Sequence, residues 1–150
     1  MMTPSNDGRL IGALLRIPFQ ATVERVRQQL VGAGFTDLTM AHFTVFQHLP
    51  PGGARVSELA VQAQITKQSM GALVEHLEQC GYLERCPDPK DRRASIVQLT
   101  DRGKALVGVA RNALQGLEDE WEGYLGVDRM SQLRSTLHDL IYYVEAEQRQ

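Results

Sequence analysis

Residues 55–102 constrain this chain most, because they fit two short capped helices and an alternating strand pair into one uninterrupted segment. Ser57 stands before a short helical segment, residues 58–63, and Thr66 stands before residues 67–79. A hydroxyl at either position can accept an N–H from the first helical turn. Only Gln64-Ile65 separates the two helices, the close spacing of a helix-turn-helix. Met70, Leu73, Val74 and Leu77 repeat at i, i+3, i+4 and i+7 and predict one buried face. Lys67, Gln68, Ser69, Ala72 and His76 lie opposite, and Gly81 supplies the stop. Tyr82-Leu83-Glu84-Arg85 and Ser95-Ile96-Val97-Gln98-Leu99 then alternate with period two, which predicts a half-buried hairpin. Between them residues 87–93 read as a charged loop with two prolines.

The flanks read as helices. Leu10, Leu14, Ile17, Val23, Val26 and Leu30 predict a first helix over 8–31, kinked or broken at Pro18 because its ring nitrogen carries no N–H for the Leu14 carbonyl. Thr39 caps a second helix ending near Leu49, and Pro50-Pro51-Gly52-Gly53 closes it. Thr100 caps a long helix to about Leu125 with a stripe from Leu106 to Tyr124; after Gly126, Asp128 caps a last helix carrying Met130, Leu133, Leu137, Leu140, Ile141 and Val144. The expected fold is mostly α with a small β-hairpin wing, about six helices in all. The winged helix-turn-helix occupies 36–104 of a single chain, 1–150, and is framed by helices in 1–35 and 105–150.

At 150 residues, 43% hydrophobic and 23% charged, the composition is that of one ordinary globular domain. No apolar run approaches the roughly 20 residues of a membrane-spanning helix. The stretch Met1-Met2-Thr3-Pro4-Ser5-Asn6-Asp7 has neither a basic start nor an apolar core, and there are two cysteines in all. A cytoplasmic location is therefore expected. Enzyme signatures are missing: no Gly-rich phosphate loop, no HExxH, no nucleophile–base pair on a recognisable scaffold. No catalytic residue and no cofactor is assigned. His76 and Cys80 have the i, i+4 spacing of helical metal ligands, with Cys86 following. A disulfide or thiol switch is the other functional reading. The plainer reading places Cys80 at a helix end and Cys86 in a strand, and no metal is assigned.

The net charge of −2 hides an asymmetry. Residues 54–104 hold eight Lys/Arg and seven acids, whereas residues 105–150 hold four arginines and eight acids. A phosphate-binding surface in the middle is thus compatible with an acidic total. A major groove admits one helix. Thr66, Lys67, Gln68 and Ser69 put donors and acceptors at the start of the second helix, where free N–H groups also favour a phosphate. The hairpin tip gathers Arg85, Lys90, Arg92 and Arg93 against Asp88 and Asp91, and an arginine there can enter a minor groove. Double-stranded DNA is the expected partner.

These residues resemble the MarR family of winged helix-turn-helix regulators. Ser57-Glu58-Leu59-Ala60, Thr66-Lys67-Gln68-Ser69-Met70, Leu73-Val74-Glu75-His76-Leu77-Glu78, Gly81-Tyr82-Leu83-Glu84-Arg85, Asp88-Pro89-Lys90-Asp91-Arg92-Arg93-Ala94 and Leu99-Thr100-Asp101-Arg102-Gly103 fall in that family's order and spacing. The resemblance implies a homodimer, with 1–35 and 105–150 as the dimerisation region, on a pseudo-palindromic operator. It implies that Asp91 braces the wing while Arg93, and often Arg92, reaches DNA. It implies a transcriptional repressor released by a small aromatic or phenolic ligand. Leu14, Phe19, His42, Phe43 and Phe46 are the candidates to line the cavity for that ligand, with core packing as the alternative for the aromatics. The sequence departs from the family pattern at Gly71-Ala72, where Ser/Thr then Arg/Lys is usual, and at Gln64, often glycine. A second function class stays open: a dimeric helical module that binds protein, or an architectural one of weak sequence preference.

Overall fold

Among residues 8–149, which the computed structural model describes, the order is α1 (Ile11–Gly32), α2 (Met40–His48), α3 (Val56–Gln62), α4 (Lys67–Gln79), β1 (Leu83–Asp88), β2 (Asp91–Leu99), α5 (Asp101–Leu125) and α6 (Val127–Gln148). Met1–Asp7, read above for an export signal, lies outside the described residues. The chain is therefore mostly α with a two-stranded antiparallel hairpin, a winged helix-turn-helix. No helix among the described residues is long and apolar enough to cross a membrane.

The chain divides into two compact units. The first holds α1 up to Arg25, α5 from Asn112, and α6. Ala113, Leu117 and Met130 are buried there, and Arg25–Glu120 and Arg134–Glu118 each pair at 2.8 Å. Many larger apolar side chains of this unit stay in solvent, among them Ile11, Phe19, Tyr124, Ile141 and Tyr142. Helix α1 runs unbroken through Pro18, so the expected break does not occur. An α-helix can carry a proline when the helix around it offsets one lost hydrogen bond.

The second unit, Val26–Arg111, holds the core. Leu30, Val45, Leu59, Met70, Val74, Leu77, Tyr82, Val97 and Leu106 are each at most 1% exposed. Burial at this level stabilises by roughly 1.5–3 kcal/mol per large apolar side chain. Tyr82 is central: Phe35 tilts against its ring at 6.0 Å and Phe46 meets it edge-on at 6.4 Å.

Local chemistry explains the element ends. Thr66 is extended and its Oγ1 accepts the Ser69 N–H at 3.0 Å, as expected of an N-cap. Thr100 Oγ1 likewise accepts the Gly103 N–H at 3.1 Å. Helix α3 differs from expectation. Its N-cap is Arg55, not Ser57, because Ala54 pairs with Val97 and Glu58 Oε2 accepts the Arg55 N–H at 3.0 Å. Helix α6 starts two residues early, so Asp128 lies inside its first turn and Gly126 is the N-cap. The turn between α3 and α4 puts Gln64 at φ +56°, the left-handed conformation that explains why a glycine is usual there.

The hairpin is longer than the alternation predicts. Strand pairing runs from Leu83↔Leu99 to Pro87↔Ser95, then shifts to Asp88↔Asp91. The expected loop 87–93 thus contracts to Pro89-Lys90. The cause is Asp88, a buried carboxylate whose Oδ1 accepts the Lys90 N–H at 2.9 Å and closes the turn.

Candidate nucleic-acid interface

Two exposed features share the second unit. One is the start of α4. Thr66, Lys67, Gln68 and Ser69 are all exposed, and Thr66 and Ser69 are tied hydroxyl to hydroxyl at 2.8 Å. Lys67 and Gln68 are left as the long, movable side chains of that turn. Further along, Ala72 and Glu75 are exposed, but His76 is not on this face. Its Nε2 lies 2.9 Å from the Asp37 carbonyl oxygen and its ring stacks on His42. Sequence periodicity placed it outward because helical spacing does not show a partner on another element.

The other feature is the wing tip. Lys90, Arg92 and Arg93 are exposed and make no ion pair among the described residues. Asp91 Oδ1 accepts the Arg93 N–H at 3.0 Å, which orients the backbone that carries the arginine. Arg85 does not belong to the tip: it lies within β1, and its Nε donates to Glu78 on α4 at 2.9 Å. Asp88 does not offset the tip charge freely either. Arg55 Nε and Nη2 both reach its Oδ2 at 2.7 Å. The Lys90 N–H first, and then the Arg55 guanidinium, hold this carboxyl below the usual carboxylate range. Reading residues 87–93 as a charged loop missed the pair, since Arg55 lies far off in sequence. The signal available was a lone arginine directly before a helix, with two acids at 88 and 91 to pair with.

A third cluster stiffens the base of this unit. The Tyr82 hydroxyl donates to Asp37 Oδ1, and Arg102 Nη2 reaches the same hydroxyl at 3.1 Å. The Arg102 guanidinium sits 4.5 Å over the Tyr82 ring and its Nη1 donates to the Cys80 carbonyl at 3.0 Å. Burial first, then the Asp37 carboxylate, pushes the Tyr82 phenol up to about 12. Cys80 and Cys86 are both free thiols. Cys80 Sγ lies 3.5 Å from His76 Nε2, yet no group of three His, Cys, Asp or Glu is gathered for a metal among the described residues.

The candidate ligand residues are drawn from both units. Leu14 and Phe19 belong to the first unit and are exposed. His42, Phe43 and Phe46 belong to the second, where Phe43 and Phe46 pack against its core. His42 is buried, and its Nδ1 accepts the Thr39 N–H at 2.8 Å. It therefore serves as the capping partner at the start of α2.

Comparison with known proteins agrees with this geometry. Residues 36–94 match the model of the MarR family. The chain is 28% identical over 105 residues to the HTH-type transcriptional repressor NicR of Pseudomonas putida, a match covering 70% of this chain and 65% of that protein. The chain thus spans less than two thirds of the length of the curated relatives it matches. Among solved structures, the transcriptional repressor CouR bound to a 23-mer DNA duplex is 27% identical, with a TM-score of 0.68 over 94% of this chain and 99% of that one. A transcriptional regulator from Thermotoga maritima is also 27% identical, with a TM-score of 0.64 over 93% and 97%.

Proposed function

We propose that this chain, whose residues 36–94 match the model of the MarR family, is a homodimeric, sequence-specific winged helix-turn-helix regulator of transcription of that family and binds double-stranded DNA. One observation carries the reading. A single compact unit presents both an N-capped helix with Lys67 and Gln68 exposed and a wing whose Lys90, Arg92 and Arg93 have no ion-pair partner among the described residues. The helix start suits base edges and phosphates of a major groove, and the wing arginines suit the more negative minor groove. CouR, whose structure is similar, is bound to a duplex. None of the homologous proteins named above is an enzyme by its description.

The dimer is supported by the first unit, where apolar side chains of α1 and α6 lie in solvent while Ala113, Leu117 and Met130 are the buried apolar ones among the described residues. A patch of that kind is covered in stable proteins. A second copy brings a second α4 and wing, and two half-sites one helical turn apart would then be read together. Repression would follow from covering promoter DNA. A small ligand would release it by favouring the arrangement that cannot meet both half-sites. For that ligand, His42 offers an Nε2–H donor and not a free Nδ1 acceptor.

Selection of bound fragments from sheared genomic DNA of the source organism, at about physiological salt, tests the reading. Enrichment of a few sites sharing an inverted repeat supports it. Uniform or absent enrichment by a folded dimer overturns it in favour of an architectural or protein-binding module.

A further inference from the structure

The wing is tied down at two points to one dipeptide. At its base, Ala54 and Val97 exchange backbone hydrogen bonds at 3.1 and 2.9 Å. Near its tip, the next residue, Arg55, grips the buried carboxylate of Asp88 through Nε and Nη2. Nη2 also lies 3.9 Å from Asp91 Oδ2. The backbone contacts are equally directed: Asp88 Oδ1 takes the Lys90 N–H, and Asp91 Oδ1 takes the Arg93 N–H. Arg55 is only about one-third exposed and its charge is turned onto these acids.

We propose that Arg55, acting through Asp88, is a positioning residue for the wing: it holds the turn at Pro89-Lys90 so that Arg92 and Arg93 are presented to DNA in one orientation. The inference rests on the DNA-binding reading above and adds to it a residue outside the wing. The physical basis is preorganisation. A two-stranded hairpin is marginally ordered by itself. A tip that moves freely must lose that freedom when its arginines bind, and the cost appears as lost affinity. The short Lys90 turn would not order the tip alone, because Asp88 would then be a buried carboxylate with no cationic partner.

The probe is a duplex recovered by the wild-type chain from a random-sequence pool. Affinity is measured for wild type, Arg55→Ala, Arg93→Ala and the double variant, each checked for a cooperative unfolding transition. Arg55→Ala is expected to weaken binding about fivefold in the wild-type background and to have little further effect once Arg93 is removed. Asp88→Asn, which keeps an acceptor for the Lys90 N–H, is expected to reproduce the loss. Amide exchange gives a readout independent of DNA: in Arg55→Ala, Lys90 and Arg93 lose protection while Val97 keeps it. Equal losses from Arg55→Ala in both backgrounds would mean that Arg55 acts independently of the wing and overturn the proposal. So would unchanged affinity or unchanged exchange at the tip. Failure of the wild-type chain to bind any duplex would overturn the DNA reading itself, and this role with it; binding by wild type with an unaffected Arg55→Ala overturns this role alone.

Discussion

The imidazole of His42 lies stacked on that of His76, with centroids 4.3 Å apart and planes 12° from parallel, while its Nδ1 takes the Thr39 N–H. One ring thus joins the start of α2 to the last turn of α4. The joint needs a neutral His42, since a protonated Nδ1 donates and cannot accept.

Acid should loosen this joint. Burial first, and then the neighbouring His76, lowers the His42 pKa below its ordinary 6.5, against an opposing pull from Asp37. The unfolded chain then binds a proton that the folded chain refuses. The stability is therefore fully present above about pH 6.5 and is lost as pH falls through the lower folded value. Thermal unfolding across that range should show a midpoint that drops with acid. His42→Gln, which keeps an acceptor without titrating there, should flatten the drop; an unaltered acid limb would assign it to other groups.

Removing the wing arginine should separate binding from folding. Arg93→Ala is expected to cost at least about 1 kcal/mol of DNA binding and to lower the salt dependence, with unfolding unchanged. Its side chain is exposed and no core residue depends on it. Equal affinity of a folded variant would remove the wing from the interface.

Gly71 should show opposite signs. It lies inside α4, and an added Cβ would meet nothing within 4 Å. Packing therefore does not explain it, and Gly71→Ala should stabilise the fold by about 1 kcal/mol. If α4 lies against DNA, the same methyl stands where a groove wall approaches, and affinity should fall. Denaturant unfolding and duplex binding on one sample decide it. A variant that gains stability and keeps its affinity would place DNA elsewhere on the helix.

Gly53 should tolerate no side chain. Its φ is +82° and a Cβ would fall 2.6 Å from the Val97 carbonyl oxygen. Gly53→Ala should destabilise by about 2 kcal/mol through backbone strain and displacement of β2. Denaturant midpoints for the two proteins measure this, and a neutral result would mean that the approach relaxes freely.

What the sequence revealed depended on how far apart the interacting residues were. Thr66 and Thr100 announce their helices because a cap acts within three residues, and the α4 stripe is visible because its period is local. The existence of the hairpin was legible for the same reason. Its length was not, because the strands are extended by Asp88, whose burial depends on Arg55. Local alternation cannot register a partner that distant in the chain. His76 was misplaced on the same ground: it was read as an outward residue, while its ring stacks on that of His42 and so joins two helices. Arg55 was invisible as a cap because it has no side-chain oxygen to accept a helical N–H; its own N–H is taken by Glu58, and the preceding Ala54 is held by Val97.

The bridge between Ala54 and Val97 has one more consequence. A two-stranded sheet has two open edges, each a template for strand addition by another chain. At Val97 the outer edge of β2 is already occupied by Ala54. On β1, Pro87 offers no N–H to an incoming strand. The hairpin can therefore project far enough to expose its arginines without becoming sticky along its length.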